Sequence, residues 1–471
     1  MIKMSFNQKQ KYALSCMKTG KNVFLTGSGG VGKTYLIKIF STWAREEKYP
    51  LSDNPVAVTS TTGTSALLIN GTTLHSFAGI GLGKESVDEL FTKISKNFFV
   101  KRRWLRTKIL IIDEISMLTP ELFEKIEELA RRIKRSPRVF GGIQVILSGD
   151  FAQLPPPKLK KFCFESEIWD KVIDESIYLK DIIRQDNPIF QKCLNEIRLG
   201  ECSQESLDLL QSRVGIKLEN DLNIIPTMLY SVNCKVDVIN RKFLKELIDS
   251  GKENYMYEMR VHVSGNPPKT LQFLVDKLVR DCPADQKIIL AEGVQVMIIT
   301  NMPDKKLANG SRGVIVGFRE KIPLVQFLDG RVLLIEEHCW TDNLTEKNEV
   351  SIKQLPLALA YSTTIHKSQG LSLDYVKTSI DSSIFEYGQA YTDLSRCKNP
   401  EGLTLDKFDP KVIKCHPKVK DFYKNLENKQ TKTITDFFFS PSLSQSNSQS
   451  NSQSNSQSNS QSSSPSQQSE I

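Results

Sequence analysis

NVFLTGSGGVGKTYLIKIF, Asn22 to Phe40, is the stretch that decides the fold. A β-prone run, Asn22 to Gly27, leads into GSGGVGKT, Gly27 to Thr34, and a helix-prone run follows it. The octet matches G-x-x-x-x-G-K-[ST] in the strand–loop–helix setting that this pattern requires. Its glycines let backbone N–H groups wrap an anion at a helix N-terminus. Gly27, Ser28, Gly29, Gly30, Val31, Gly32, Lys33 and Thr34 therefore form a candidate cradle for ATP. Lys33 is placed to neutralise the β- and γ-phosphates, and the Thr34 hydroxyl to bind Mg²⁺.

Working outward, VAVTS (Val56 to Ser60), ILIID (Ile109 to Asp113) and QVILSGD (Gln144 to Asp150) are further candidate strands. Their near-continuous hydrophobicity suits strands buried on both faces, so residues 1 to about 185 are expected to form an α/β domain around a parallel sheet. IIDEIS, Ile111 to Ser116, ends one strand with two acids. Asp113 is expected in the metal shell and Glu114 at the attacking water. GDFAQLPP, Gly149 to Pro156, carries Gln153 past the next strand, where it can meet γ-phosphate and water together. Gln10, in FNQKQ before the first strand, offers the paired donor and acceptor that an adenine edge needs.

A second mixed region spans about 186 to 425. Short strands are expected near Val294–Ile299, Arg312–Phe318, Leu324–Phe327 and Val332–Ile335, with tight turns at Asn309-Gly310 and Asp329-Gly330. They suggest a small β-barrel inserted at about 288–350. From Ser440 the chain becomes a Ser/Gln/Asn repeat that cannot bury enough apolar surface to offset its chain entropy, so 440–471 is expected to be disordered.

Composition narrows the class. The net charge is +9, and the only charges beyond Lys432 are the acids Asp436 and Glu470, so the body is more basic than the whole and fits a polyanionic partner. No apolar run is long enough for a membrane span, and the first residues lack a secretory core, which points to a soluble intracellular protein. The nine cysteines lie far apart without a CxxC pair, so neither a structural metal nor a disulfide framework is expected.

Taken together, the chain resembles the Pif family (petite integration frequency) of superfamily-one DNA helicases. The telling block is TTGTSALLINGTTLHSFAGIGLG, Thr61 to Gly83, followed in order by LIIDEISML, GDFAQLPP, IIRQ, STTIHKSQGLSLD and GQAYTDLSRC. The resemblance covers about residues 5 to 410. It implies two RecA-like domains, 1–185 and 186–425, with ATP and Mg²⁺ in the cleft between them. It further implies a wedge insertion at about 76–103, a Src-homology-type barrel at 288–350, and 5′-to-3′ movement on single-stranded and forked DNA. Arg184 in IIRQ and Arg396 in TDLSRC match the family's two γ-phosphate arginines. In IHKSQG, Gln369 and Gly370 match nucleotide-facing positions, and His366, Lys367 and Ser368 strand-facing ones. Thr73 and His75 match a DNA-facing segment. Roles in replication, repair, recombination or telomere maintenance follow, with the nucleus as the compartment in a cellular eukaryote and otherwise the viral or bacterial DNA compartment. Lys9 departs from the usual Glu of the family.

KRRWLRTK, Lys101 to Lys108, fits either a DNA contact or a solvated helix face. TKTITDFFF, Thr431 to Phe439, spaces Ile434, Phe437 and Phe438 as one helical turn, resembling a sliding-clamp-binding peptide; a final helix packed on the body is the alternative. Two other functions compete with a helicase: a translocase that strips proteins but unwinds poorly, and an idle clamp-binding adaptor. The intact Lys33, Asp113, Glu114, Gln153, Arg184 and Arg396 argue against the adaptor.

Overall fold

Alternation along the strands builds the first sheet into a two-sided wall. Val23, Leu25, Ile109, Ile111 and Ile146 point to one core, while Phe24, Leu110, Ile112, Val145 and Leu147 point to the other. This is the period-two signature of a strand covered on both faces. In the computed structural model, which describes residues 6–156, 161–219, 224–230, 233–264, 272–343, 349–365 and 367–439, six strands form this sheet. They are β1 (Val23–Gly27), β2 (Val56–Ser60), β3 (Thr72–Thr73), β4 (Ile109–Asp113), β5 (Gln144–Gly149) and β6 (Glu175–Leu179). They run parallel in the order β3-β2-β4-β5-β1-β6.

Helices α1 (Gln8–Lys18) and α2 (Lys33–Trp43) cover one face, with Tyr12, Ala13, Leu36, Ile37 and Phe40 buried against it. The helix Pro120–Lys134 covers the other through Phe123, Ile126, Leu129 and Ile133. Thr119 caps its start, and Pro120 at the first helical position costs no backbone bond. Between β3 and β4, the helices Val87–Lys96 and Phe98–Arg106 anchor on the same core through Leu90, Ile94 and Trp104.

A second parallel sheet holds Ser362–Thr364, Thr227–Tyr230, Val376–Ile380 and Leu403–Phe408, in that spatial order. The helix Pro188–Arg198 packs on it through Phe190, Leu194 and Ile197. The fold class expected from sequence, α/β with parallel sheets, is the one observed. The stretch expected to hold a small β-barrel contributes to antiparallel sheets. One joins Val332–Leu334, Ile322–Phe327, Arg312–Arg319, Gln295–Ile298 and Leu357–Leu359 in order. A second joins His338–Asn343, Glu349–Gln354 and Arg260–Val263. Asp329-Gly330 forms the hairpin turn between the strands on either side, closed by the Phe327–Arg331 backbone bond.

The helix Pro417–Phe439 returns from the second lobe to the first: Val419, Tyr423 and Leu426 join the core that contains Phe24 and Leu147. Its backbone runs through the proposed clamp peptide, whose side chains, like the whole of 440–471 and His366, lie outside the described residues. Among the described residues no helix is long and apolar enough to cross a membrane.

Candidate active site

The chain leaves β1 at Gly27, where a side chain would sit 2.2 Å from the Leu179 carbonyl oxygen, and turns through Gly30 at φ +89°. Only glycine takes both positions without strain. The resulting loop ends on α2, so the N-terminal N–H groups of that helix face the cavity. Lys33 Nζ donates to the carbonyls of Gly27 (2.7 Å) and Ser28 (3.0 Å), holding the ammonium inside the loop. Burial lowers its pKa, an effect opposed by Asp150, Glu114 and Asp113.

Opposite the loop, β4 delivers Asp113 and Glu114, both lining the same cleft of about 570 Å³. Glu114 sits at φ +53°, a left-handed conformation that is strained for this residue and aims its carboxylate inward. Burial and the neighbouring Asp113 push the Glu114 carboxyl up to about 7. Gln153, buried past the end of β5, lines the cleft as well.

Both arginines reach the loop. A methyl at Gly29 would meet Arg396 Nη2 at 3.4 Å and Arg184 Nη1 at 3.7 Å. Arg184 comes from the segment after β6, and Arg396 from just beyond the helix Gln389–Leu394 on the second lobe. Burial, then Arg396, lowers the Arg184 pKa to about 10. Arg396 is braced by its own lobe, donating to the Thr392 carbonyl (2.8 Å), the Ser368 carbonyl (3.2 Å) and the Ser395 hydroxyl (2.7 Å). Gly370 lines the cleft, while Gln369 is buried with its amide nitrogen unpaired among the described residues. Gln185 Nε2, bonded to the Cys397 carbonyl at 3.0 Å, and the Gly29 N–H, donated to the Tyr391 hydroxyl at 2.8 Å, tie the two lobes across the loop.

The cavity fits a polyphosphate: a glycine cradle on one side, two guanidiniums and an ammonium around it, and one guanidinium nitrogen of Arg184 without a partner among the described residues. Thr34 and Asp113, both on its wall, are the hard oxygen donors that Mg²⁺ prefers.

Two expected site residues make other bonds here. Gln10 does not line the cleft; its Oε1 accepts from Asn7 N–H and its Nε2 donates to the Val31 carbonyl at 3.3 Å. Both ends of the amide are used, completing a capping box on α1 and propping the loop from behind. Ser368, expected toward the DNA strand, is buried and donates its hydroxyl to the Ile365 carbonyl (2.8 Å). Lys367 is exposed, as a strand contact requires. Thr73 caps the helix Leu74–Ala78 by accepting from Ser76 N–H, and His75 is half-buried on it. KRRWLRTK turns out to support this segment. Arg103 donates to the Ser76 and Phe77 carbonyls, and the buried Trp104 to the Ala78 carbonyl. A further cavity of about 680 Å³ beside β2 is lined by Arg45, Arg102, Arg106, Phe99 and Trp340 among others.

Cleft residues missed from sequence include Asn301 and Lys398, which carry no local motif, and Tyr35 and Ser65, which lay inside quoted stretches without a role being read from them. Tyr391 lay inside a quoted segment, and Asn309, in a turn pair, faces the cleft.

Against known proteins, residues 3–208 match the model of the PIF1-like helicase family. The chain is 38% identical to the ATP-dependent DNA helicase PIF1 of Xenopus laevis, over 90% of this chain and 64% of that protein. It thus spans just under two thirds of the length of that relative. The crystal structure of Pif1 helicase from Candida albicans is 36% identical, with a TM-score of 0.70 over 90% of this chain and 100% of that one. Pif1 helicase from Bacteroides, crystallised with ADP-AlF3 and single-stranded DNA, is 28% identical, with a TM-score of 0.60 over 90% and 98% of the two chains. With its motifs assembled around one cleft and a likeness that runs the length of a solved Pif1 structure, this chain belongs to the PIF1-like helicase family.

Proposed function

We propose that this chain is an ATP-dependent DNA helicase that moves 5′-to-3′ on single-stranded DNA and opens duplexes at forks, in replication, repair, recombination or telomere maintenance. One observation carries the reading: Arg184 and Arg396 converge on the loop that holds Lys33, across from Asp113, Glu114 and Gln153. Lys33 and the loop amides hold the β- and γ-phosphates, and Glu114, with a carboxyl poised near 7, takes the proton of the attacking water. Gln153 orients that water, and Arg184 and Arg396 stabilise charge on the departing phosphoryl group. Mg²⁺ held by Thr34 and Asp113 supplies neutralising charge when bound.

The link to DNA runs through the backbone. Arg396 holds the Ser368 carbonyl, so a shift of the arginine on hydrolysis is passed to the segment carrying His366 and Lys367. Thr73, His75 and the arginine- and ring-lined cavity beside β2 offer the cations and flat faces that a single strand needs. The solved Bacteroides relative was crystallised with both ligand types, ADP-AlF3 and single-stranded DNA, which supports the same pairing here. Residues 1–185 and 186–425 serve as the two RecA-like motor domains. The helices around 76–103 act as the wedge, and the antiparallel sheets around 288–350 as the Src-homology-type barrel. Thr431–Phe439 is a candidate sliding-clamp peptide, and the nucleus is the compartment if the host is a cellular eukaryote, otherwise the viral or bacterial DNA compartment.

Opening each base-pair step costs roughly 1.4 kcal/mol of stacking, which coupled hydrolysis can supply. The test is ATP hydrolysis with and without single-stranded DNA, then unwinding of duplexes tailed at either end. Hydrolysis is expected to rise with DNA, and only the 5′-tailed duplex to open. Full DNA-stimulated hydrolysis by a Lys33→Ala variant refutes the site.

A further inference from the structure

Beneath the phosphate loop lies a buried polar junction that none of the roles above uses. Tyr423, on the helix Pro417–Phe439, places its hydroxyl 2.8 Å from Thr26 Oγ1, 3.0 Å from the Phe151 N–H and 2.9 Å from Asp150 Oδ1. The phenol accepts from Thr26 and from Phe151 and donates to Asp150, so its hydrogen-bonding capacity is filled. Thr26 immediately precedes Gly27, whose carbonyl holds Lys33. Phe151 lies two residues before Gln153. One oxygen therefore fixes the spacing between the loop that grips the phosphates and the loop that presents the water-orienting glutamine. Arg198, from the second lobe, chelates Asp150 through Nε (2.9 Å) and Nη2 (2.8 Å) and lies 4.0 Å from the centre of the Tyr423 ring. Tyr423, Asp150 and Arg198 are each at most 2% exposed. The helix is seated independently of the hydroxyl, by Phe422 stacked on Phe164 at 4.3 Å and by Val419 and Leu426 in the core.

We propose that Tyr423 is a positioning residue for ATP hydrolysis: from the C-terminal helix, its hydroxyl sets Gln153 against the phosphate loop. The C-terminal helix is then part of the engine and not an appendage to it. This rests on the helicase reading of the cleft. Loss of the hydroxyl leaves the loop amides intact, so nucleotide affinity is kept while the geometry of the chemical step is lost. A misplacement far from the reacting atoms is enough to lower turnover strongly.

The test uses the full chain, with ATPase kinetics in saturating single-stranded DNA, a fluorescent ATP analogue for binding, and thermal melting. Tyr423→Phe keeps the ring and its packing; Thr26→Val removes the partner hydroxyl at equal volume, and Thr26→Ser restores it. Tyr423→Phe and Thr26→Val are expected to lower kcat on the order of tenfold or more. KM and analogue affinity should hold within about twofold, and Thr26→Ser should match the parent protein. Unchanged kcat in both variants overturns the proposal, as does a kcat loss that only tracks loss of folded protein. An unmodified chain without DNA-stimulated ATPase overturns the helicase reading as well, whereas an active parent with an unaffected Tyr423→Phe overturns this proposal alone.

Discussion

Replacing Arg198 with Met strips the guanidinium from a junction sealed from water. Arg198 makes two bonds to Asp150 and a third to the Tyr178 hydroxyl at 2.7 Å, and the ion pair is 1% and 0% exposed. Met roughly keeps the stem volume, so the change isolates the charge. Among the described residues, Asp150 retains only the Tyr423 hydroxyl and the Ala152 N–H as donors. A carboxylate left buried without its cation costs about 3–5 kcal/mol. Neutralising the acid as well, in Asp150→Asn with Arg198→Met, removes the stranded charge while the side-chain oxygen still accepts both remaining bonds. The double variant is then expected to lose only about 1–3 kcal/mol, the cost of one unsatisfied polar group. Urea unfolding followed by tryptophan fluorescence reads this, because Trp169 sits in the core that holds Phe422 and Tyr423. Only the transition of that lobe enters the comparison, since two lobes need not unfold together. A double variant as unstable as the sum of its two single variants refutes the argument, because the effects would then be independent.

Two further outcomes follow from the cleft. At Gly30 a β-carbon would stand 2.4 Å from Arg184 Cβ on a backbone at φ +89°, so Gly30→Ala should abolish DNA-stimulated hydrolysis and weaken binding of a fluorescent ATP analogue at least tenfold; near-normal binding contradicts the cradle. Burial pushes the Asp393 carboxyl up to about 7, against a 2.5 Å bond from the Thr378 hydroxyl and the charge of Arg396. The folded state therefore holds a proton that the unfolded chain has released, and stability falls as pH rises from the ordinary carboxylate range to about 7. Asp393→Asn should flatten that slope in denaturation midpoints taken across the interval, and an unchanged slope would exclude the buried acid as its source.

Much of the cleft was legible because its chemistry is local. Gly27 to Thr34, Asp113-Glu114 and Gln153 each follow a hydrophobic strand, and those strands formed within a residue of where continuous hydrophobicity placed them. What escaped was short or distant. β3 has two residues, and β6, ESIYL, is only partly apolar, so neither stood out. Gln10 was read from its amide alone, although Asn7, three residues earlier, is the signature of the capping box that it also completes. Ser368 looked free because sequence shows a hydroxyl but not the Ile365 carbonyl that claims it. Arg198 and Tyr423 lie 48 and 273 residues beyond Asp150 along the chain. No periodicity links such positions; only the return of the C-terminal helix to the first lobe brings them together.

The claim on which the rest depends is that the terminal phosphate is gripped from both lobes. Turnover of Arg396→Ala, measured in saturating single-stranded DNA beside affinity for an ATP analogue, tests it most directly. Stabilisation of the transferring phosphoryl group predicts a fall in kcat of about a thousandfold or more, with analogue affinity nearly unchanged. A variant that turns over ATP like its parent contradicts the account.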